Sequence, residues 1–348
     1  MCHLPVGNSS GCLKIARVPS KRADPVPIQG RHECEVVDPS NEAEESVAAW
    51  EDCQKNHGHA QFIPAWKFRL GHLPEWCRKT RVLRFVRTVC AITVRLRVHY
   101  TSPARPDGYA FSGHRGSDKL HLGSGYVGAV LNAPGPCTCD SCRETDAPRR
   151  QCYHIYLSTA CHVIFSTEEA RATRVDFFYD SADSGGGGGG GAAKMKSVWA
   201  ADVVARDQQD DWCMVRCVSH DHILANELRD VVEDMAHKPT PTTNYHGRNM
   251  PTMCVVVSHP HGMPKQVTVG NLAGQATLGT YSTRFKYNTA TCPGSSGGPV
   301  FVAIAKKSGC AEWMGPHSQK LHDFSTPVNL SGSCVRLSDH ICPKRKGR

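Results

Sequence analysis

After residue 92 the sequence breaks into short apolar runs, each ended by turn-forming residues, and this rhythm limits the architecture more than any other feature. The first run, TVRLRVHY, alternates Val94, Leu96 and Val98 with Thr93, Arg95, Arg97 and His99, the period of two of a half-buried strand. GSGYVGAVL, HIYLSTACHVIF, TRVDFFYD, SVWAADVVARD, WCMVRCV, MCVVVSHP, KQVTVG and PVFVAI continue the series. Many short strands joined by tight turns bury their apolar faces as antiparallel barrels or sandwiches, so the expected class is all-β. Between the two halves of the series, HILANELRDVVEDMAH reads as a helix with Leu224, Leu228, Val231, Val232 and Met235 on one face. A second short helix is expected after Pro74, leading into the first strand.

The 348 residues carry 41 basic and 32 acidic side chains, a net +9, but the excess is local. Residues 1–66 hold 6 basic and 9 acidic groups, residues 67–97 hold 9 against Glu75 alone, and residues 98–342 balance at 22 of each. The tail adds Lys344, Arg345, Lys346 and Arg348. A nucleic-acid-binding domain carries positive charge on its folded body among aromatic side chains, so nucleic acid is not expected as a partner. No apolar run reaches the roughly 18 residues of a membrane span, and no apolar segment follows a basic start; an intracellular protein, cytoplasmic or nuclear, is expected. There the 18 cysteines are expected as reduced thiols. Cys137, Cys139 and Cys142, with Cys152 and His154 close behind, have the dense spacing of a zinc site whose fourth ligand is not fixed. Residues 1–60 lack apolar periodicity and are expected as a disordered arm, residues 61–89 as a basic flank, and Gly185–Gly191 as a loop between strands.

The most specific string is TCPGSSGGPVF, residues 291–301. A serine in a tight glycine-rich turn before a strand holds its hydroxyl clear of the backbone, and neighbouring N–H groups can converge to stabilise an oxyanion. Gly294-Ser295-Ser296-Gly297-Gly298-Pro299 resembles the nucleophile turn of the chymotrypsin-like serine proteases, with Ser296 as the nucleophile. Leu157-Ser158-Thr159-Ala160-Cys161-His162 resembles that family's turn around the general base, and Asp210-Asp211-Trp212-Cys213-Met214-Val215 its strand-opening aspartate. VVVSHPHGMPKQVTVG is similar to the strand pair that approaches the nucleophile loop in intracellular and viral members. The order His162, Asp211, Ser296, with gaps of 49 and 85 residues, is similar to the family's.

The resemblance covers roughly residues 90–335. It implies two six-stranded antiparallel β-barrels joined by a short helix: residues 90–218 carrying His162 and Asp211, and residues 219–338 carrying Ser296, before a basic tail at 339–348. It further implies a serine endopeptidase acting on a protein or peptide without a cofactor. His162 is the expected base, Asp211 its orienting carboxylate, and the N–H groups of Gly294 and Ser296 the oxyanion hole. Ala290 would floor the substrate pocket, and His317 on the following strand would favour an acidic substrate side chain. Ser295 replaces the family's usual aspartate, and no Ile-Val-Gly-Gly start precedes the first barrel, so the chain is expected to fold directly into a competent site. The rival expectation is a silent double barrel that serves as a protein-binding scaffold.

Overall fold

A computed structural model describes residues 30–137, 139–145, 149–182, 194–236, 251–278, 282–306, 309–321 and 328–332. The glycine run 185–191, the loop around residue 240 and the tail 339–348 lie outside the described residues. Strands β1 (Gly30–Arg31) and β2 (Glu35–Val37), helix α1 (Glu42–Glu51), strand β3 (Ile63–Pro64) and helix α2 (Thr80–Ile92) come first. The first half of the strand series follows as β4 (Thr93–Val98), β5 (Leu120–Asn132), β6 (Tyr153–Thr159), β7 (Thr173–Phe177), β8 (Lys196–Asp207) and β9 (Trp212–Ser219), with short helices α3 (Asp140–Arg143) and α4 (Thr167–Arg171) between them. After α5 (His222–Ala236) come β10 (Thr252–Ser258), β11 (Gln266–Gly270), β12 (Leu272–Leu278), β13 (Ser282–Tyr287), β14 (Pro299–Lys306), β15 (Gly309–Leu321) and β16 (Val328–Ser331).

Antiparallel pairing runs β5-β4-β7-β8-β9-β6, and β6 returns to β5 to close a six-stranded barrel. Its interior takes the inward residue of each alternation: Val94, Leu96, Ile155, Leu157, Val175 and Val215 are buried together. The other sheet runs β12-β13-β16-β15-β14-β10-β11-β3, with β1 added beside β15. Among the described residues this path does not close, so the expected pair of closed barrels is met only in its first member. The extension comes from β3, which precedes the first barrel in sequence yet pairs Pro64 and Ile63 with Gln266 and Val267.

Helix accounts for 26% of the chain against 37% strand, so an all-β class is too narrow. Helix α2 is the amphipathic half of the basic flank: Val82, Phe85, Val86 and Val89 face the second sheet's core, with Phe85 4.6 Å from Phe301, while Arg81, Arg84 and Arg87 face solvent. The local positive charge is thus the wet face of a packed helix. Residues 30–60 also depart from expectation, since they form β1, β2 and α1. Glu42 at the start of α1 lies 3.4 Å from Arg95 and 2.9 Å from Arg97, and Trp50 at its end stacks on His59 at 3.6 Å. A segment with little apolar surface is held here by charge pairs and ring stacking.

Candidate active site

The strand β6 ends at Thr159, and the chain turns through Ala160–Val163, which brings the His162 ring to the edge of the first barrel. Asp211 opens β9 with φ of 47°. Its Oδ1 accepts the His162 backbone N–H at 2.9 Å, and its Oδ2 lies 2.8 Å from His162 Nδ1. Ser318 Oγ donates to the same Oδ2 at 2.5 Å. Burial works to raise the Asp211 carboxyl, but the imidazoles of His162 and His32 and the hydrogen bonds outweigh it and hold it well below the ordinary carboxylate range. The sequence separates these groups by 49 residues, and the β6–β9 pairing brings them together.

Arg105 and Glu169, neither foreseen from the sequence, fix the His162 turn from behind. Both side chains are fully buried, with the guanidinium donating to both Glu169 oxygens at 2.6 Å and to the His162 carbonyl at 2.8 Å. Glu169 also accepts the N–H groups of Ser102 and Phe165, each at 2.8 Å. Every charge of this pair is met by a hydrogen bond, as burial requires.

The nucleophile turn precedes β14. Gly294 and Gly297 have φ of +85° and +83°, and a Cβ on Gly297 would stand 2.1 Å from Thr159 Oγ1. Only glycine suits both the conformation and the close approach to the first barrel. The N–H groups of Ser295, Gly297 and Gly298 donate to Cys292, His317 and Ser295 carbonyls. Among the described residues those of Gly294 and Ser296 donate to no turn or loop carbonyl, which leaves the two expected oxyanion donors uncommitted. Ser124 of β5 spans the gap between the two halves: its N–H donates to the Ser296 carbonyl and its Oγ to that of Gly294, each at 2.8 Å. Ser295 Oγ is bonded to Ser258 Oγ at 3.0 Å, so a hydroxyl pair stands at the position that carries aspartate in zymogen-activated relatives.

Ser296 Oγ donates to the backbone carbonyl of Glu33 at 3.3 Å, and His162 Nε2 has no hydrogen-bond partner among the described residues. His162, Asp211 and Ser296 are each at most 1% exposed, because residues 30–35 run through the cleft. The site expected to be competent on folding is thus covered by the chain's own residues 30–35. His32 stacks on His162 at 4.0 Å, and burial, then the neighbouring His162, push its imidazole down to about 4. The Glu33 carboxylate lies 2.6 Å from Lys55 Nζ, 3.3 Å from Thr291 Oγ1 and 3.9 Å from His317 Nε2. Burial raises the Glu33 carboxyl, but His317 and the Lys55 ammonium outweigh it and bring it down to about 2. Tyr287 OH sits 2.5 Å from His317 Nδ1 and so fixes the ring that faces Glu33. Ala290, the expected pocket floor, is packed with Cys53, Phe62 and Cys292, and the polar contact to Glu33 comes from the next residue, Thr291.

Cys137, Cys139 and Cys142 do converge, and the fourth donor is His220, whose Nε2 lies 3.0, 3.8 and 3.6 Å from the three sulfurs. Cys152 packs against this group, whereas His154 contacts the Tyr156 ring. Motif spacing does not reveal His220, because the chain brings it in just after β9, 78 residues beyond Cys142.

Residues 146–305 match the family model for the trypsin-like peptidase domain, a span that contains His162, Asp211 and Ser296. Over these residues the chain is similar to the trypsin-like peptidase domain. Solved structures similar to it include the active form of the Rv3671c protease from M. tuberculosis, at 12% identity and a TM-score of 0.39 over 73% of this chain and 81% of that one. Deg5 is similar at 14% identity and a TM-score of 0.38 over 72% of this chain and 90% of its own. No curated protein matches the sequence. Among the described residues no helix is long and apolar enough to cross a membrane.

Proposed function

We propose that the peptidase domain is an active serine endopeptidase that cuts after an acidic residue, with His162, Asp211 and Ser296 as its triad. The observation that carries this reading is the contact of Ser296 Oγ with the carbonyl of a residue whose own carboxylate rests between Lys55, Thr291 and His317. Ser296 Oγ attacks the carbonyl carbon while His162 Nε2 takes its proton, and the imidazolium then protonates the leaving amine. Asp211 holds the imidazole with Nδ1–H toward the carboxylate. The N–H groups of Gly294 and Ser296 receive the oxyanion, at about 3–4 kcal/mol for such a donor. Water then hydrolyses the acyl-enzyme. The residues 90–218 and 219–338 serve as the two halves that meet at this cleft, in a reducing compartment, in keeping with the described cysteines forming no disulfide.

The rival reading, a silent scaffold, draws on the burial of the triad by the chain itself. One experiment separates them: a fluorophosphonate probe on wild type and Ser296→Ala, followed by hydrolysis of peptides that differ only in Glu, Gln or Lys before the scissile bond. Ser296-dependent labelling with preference for Glu is expected. Absence of labelling in folded protein supports the scaffold.

A further inference from the structure

Residues 30–35 cross the cleft as a substrate would. Gly30 and Arg31 pair antiparallel with Leu321 and Lys320 of β15, just beyond Ser318, which bonds the triad aspartate. His32 then lies on the base, Glu33 fills the pocket, and the Glu33 carbonyl meets the nucleophile. Past the Glu33–Cys34 bond the chain is anchored again, with Glu35–Val37 paired to β5. Cys34 itself is exposed, so the leaving side of this bond opens to solvent.

We infer that the protein cleaves its own chain between Glu33 and Cys34, and that the docked segment blocks the site until the cut is made. The inference rests on the peptidase reading above. Ser296 Oγ bonds to the Glu33 carbonyl carbon as its proton passes to His162. The Glu33–Cys34 C–N bond breaks as that proton moves to the Cys34 nitrogen. Water hydrolyses the Ser296–Glu33 ester, which restores the hydroxyl and leaves a new carboxylate on Glu33 and a new amino terminus on Cys34.

Intact mass measured over time on purified wild type, Ser296→Ala and Glu33→Gln tests this. Wild type is expected to yield a fragment starting at Cys34, Ser296→Ala to stay whole, and Glu33→Gln to be cut at least tenfold more slowly. The fluorophosphonate probe is applied to the same three samples. Ser296-dependent labelling with the 33–34 bond intact, or cleavage elsewhere in the chain, overturns self-cleavage and leaves the peptidase reading standing. No Ser296-dependent labelling in wild type or Glu33→Gln overturns both.

A different observation carries a second inference. Cys53, His59, His261 and Cys292 are all buried, and their donor atoms lie within 4.8 Å of one another. Cys53 Sγ is 3.5 Å from Cys292 Sγ, which is 3.5 Å from His59 Nε2. Tetrahedral zinc with bonds of about 2.3 Å to sulfur and 2.0 Å to nitrogen sets its ligands roughly 3.3–3.8 Å apart. His261 Nδ1 lies 2.6 Å from Glu35 Oε2, and its Nε2 has no partner among the described residues, the arrangement of a ring held by a carboxylate toward a metal. The geometry points to a zinc ion here, tying residues 53–59 to the nucleophile loop four residues before Ser296. The ligands Cys137, Cys139, Cys142 and His220 form a second site of the same kind.

Elemental analysis of the full-length protein is expected to give two zinc ions per chain. Cys53→Ser with Cys292→Ser removes one, and Cys137→Ser with Cys139→Ser removes the other. Cobalt loaded into wild type in place of zinc is expected to show the visible absorption of tetrahedral thiolate sites, a readout that no substitution can confound. Fewer than two equivalents in wild type, or two retained by the Cys53/Cys292 variant, sinks this inference.

Discussion

At the residue scale, His162, Asp211 and Ser296 were legible because each sits in a short string whose turn chemistry is local. Glu33, Lys55 and Glu169 were not, because nothing near them in sequence records that they meet His317, Thr291 and Arg105. The Arg105–Glu169 pair is fully buried, and removing one charge leaves the other uncompensated. Glu169→Ala is therefore expected to lower folding stability by about 3–5 kcal/mol, read from chemical denaturation midpoints. A loss under 1 kcal/mol would show that the pair does not hold the His162 turn. Lys55 tests the pocket. Its ammonium makes a charge-assisted contact to Glu33 at 2.6 Å, a kind worth about 1.5–3 kcal/mol. Lys55→Ala is expected to lower kcat/KM on Glu peptides by roughly 10- to 150-fold and on Gln peptides much less. Equal losses on both would remove Lys55 from specificity.

At the element scale, strands β4 to β11 and β14 follow the alternation in the sequence, as does α5. The segment 30–60 was read as disordered because it has no apolar periodicity, yet β1, β2 and α1 depend on partners elsewhere: β15, β5 and the Arg95–Arg97 pair. Elements of that sort cannot be seen from their own residues. Their dependence on charge gives a pH response. His32 is docked with its pKa brought down to about 4, and the free side chain titrates near 6.5. It faces His162, Asp211, Tyr109 and the Ser318 carbonyl. Docking is favoured in full above about 6.5 and weakens as pH falls toward 4, because the released side chain takes a proton that the docked one refuses. Glu33, facing Lys55, Thr291 and His317, acts in the same direction lower down: its contribution is complete above about 4.5 and fades toward 2. Hydrogen exchange on uncut Ser296→Ala protein, corrected for the intrinsic rate, is expected to show residues 30–37 protected at pH 7.5 and far less so at pH 5. Equal protection at the two pH values would contradict it.

At the scale of the whole molecule, the site belongs to neither half alone. His162 and Asp211 come from the closed barrel and Ser296 from the open sheet, and Ser124 of β5 is bonded across the boundary to both Ser296 and Gly294. The His259 N–H also donates to Ser124 Oγ at 2.9 Å, and Thr159 Oγ1 donates to the Ser124 carbonyl at 2.8 Å. In the proposed mechanism Ser124 therefore positions the oxyanion donors relative to the base without touching the reacting atoms. Ser124→Ala keeps the backbone bond to Ser296 and loses the two made by Oγ. The loop then has more freedom at Gly294, while the Glu pocket, built from Lys55, Thr291 and His317, keeps its contacts. Such a variant is expected to lose about 10- to 100-fold in kcat, equivalent to about 1.4–2.8 kcal/mol of transition-state stabilisation, with KM within about twofold of wild type. Thr159→Val, which removes a hydroxyl that donates to the Ser124 carbonyl and not to the loop, is expected to lose less. Steady-state kinetics on a Glu peptide with the segment already cut separates the two roles: a rise in KM at constant kcat would mean that Ser124 shapes the pocket instead of aligning the two halves.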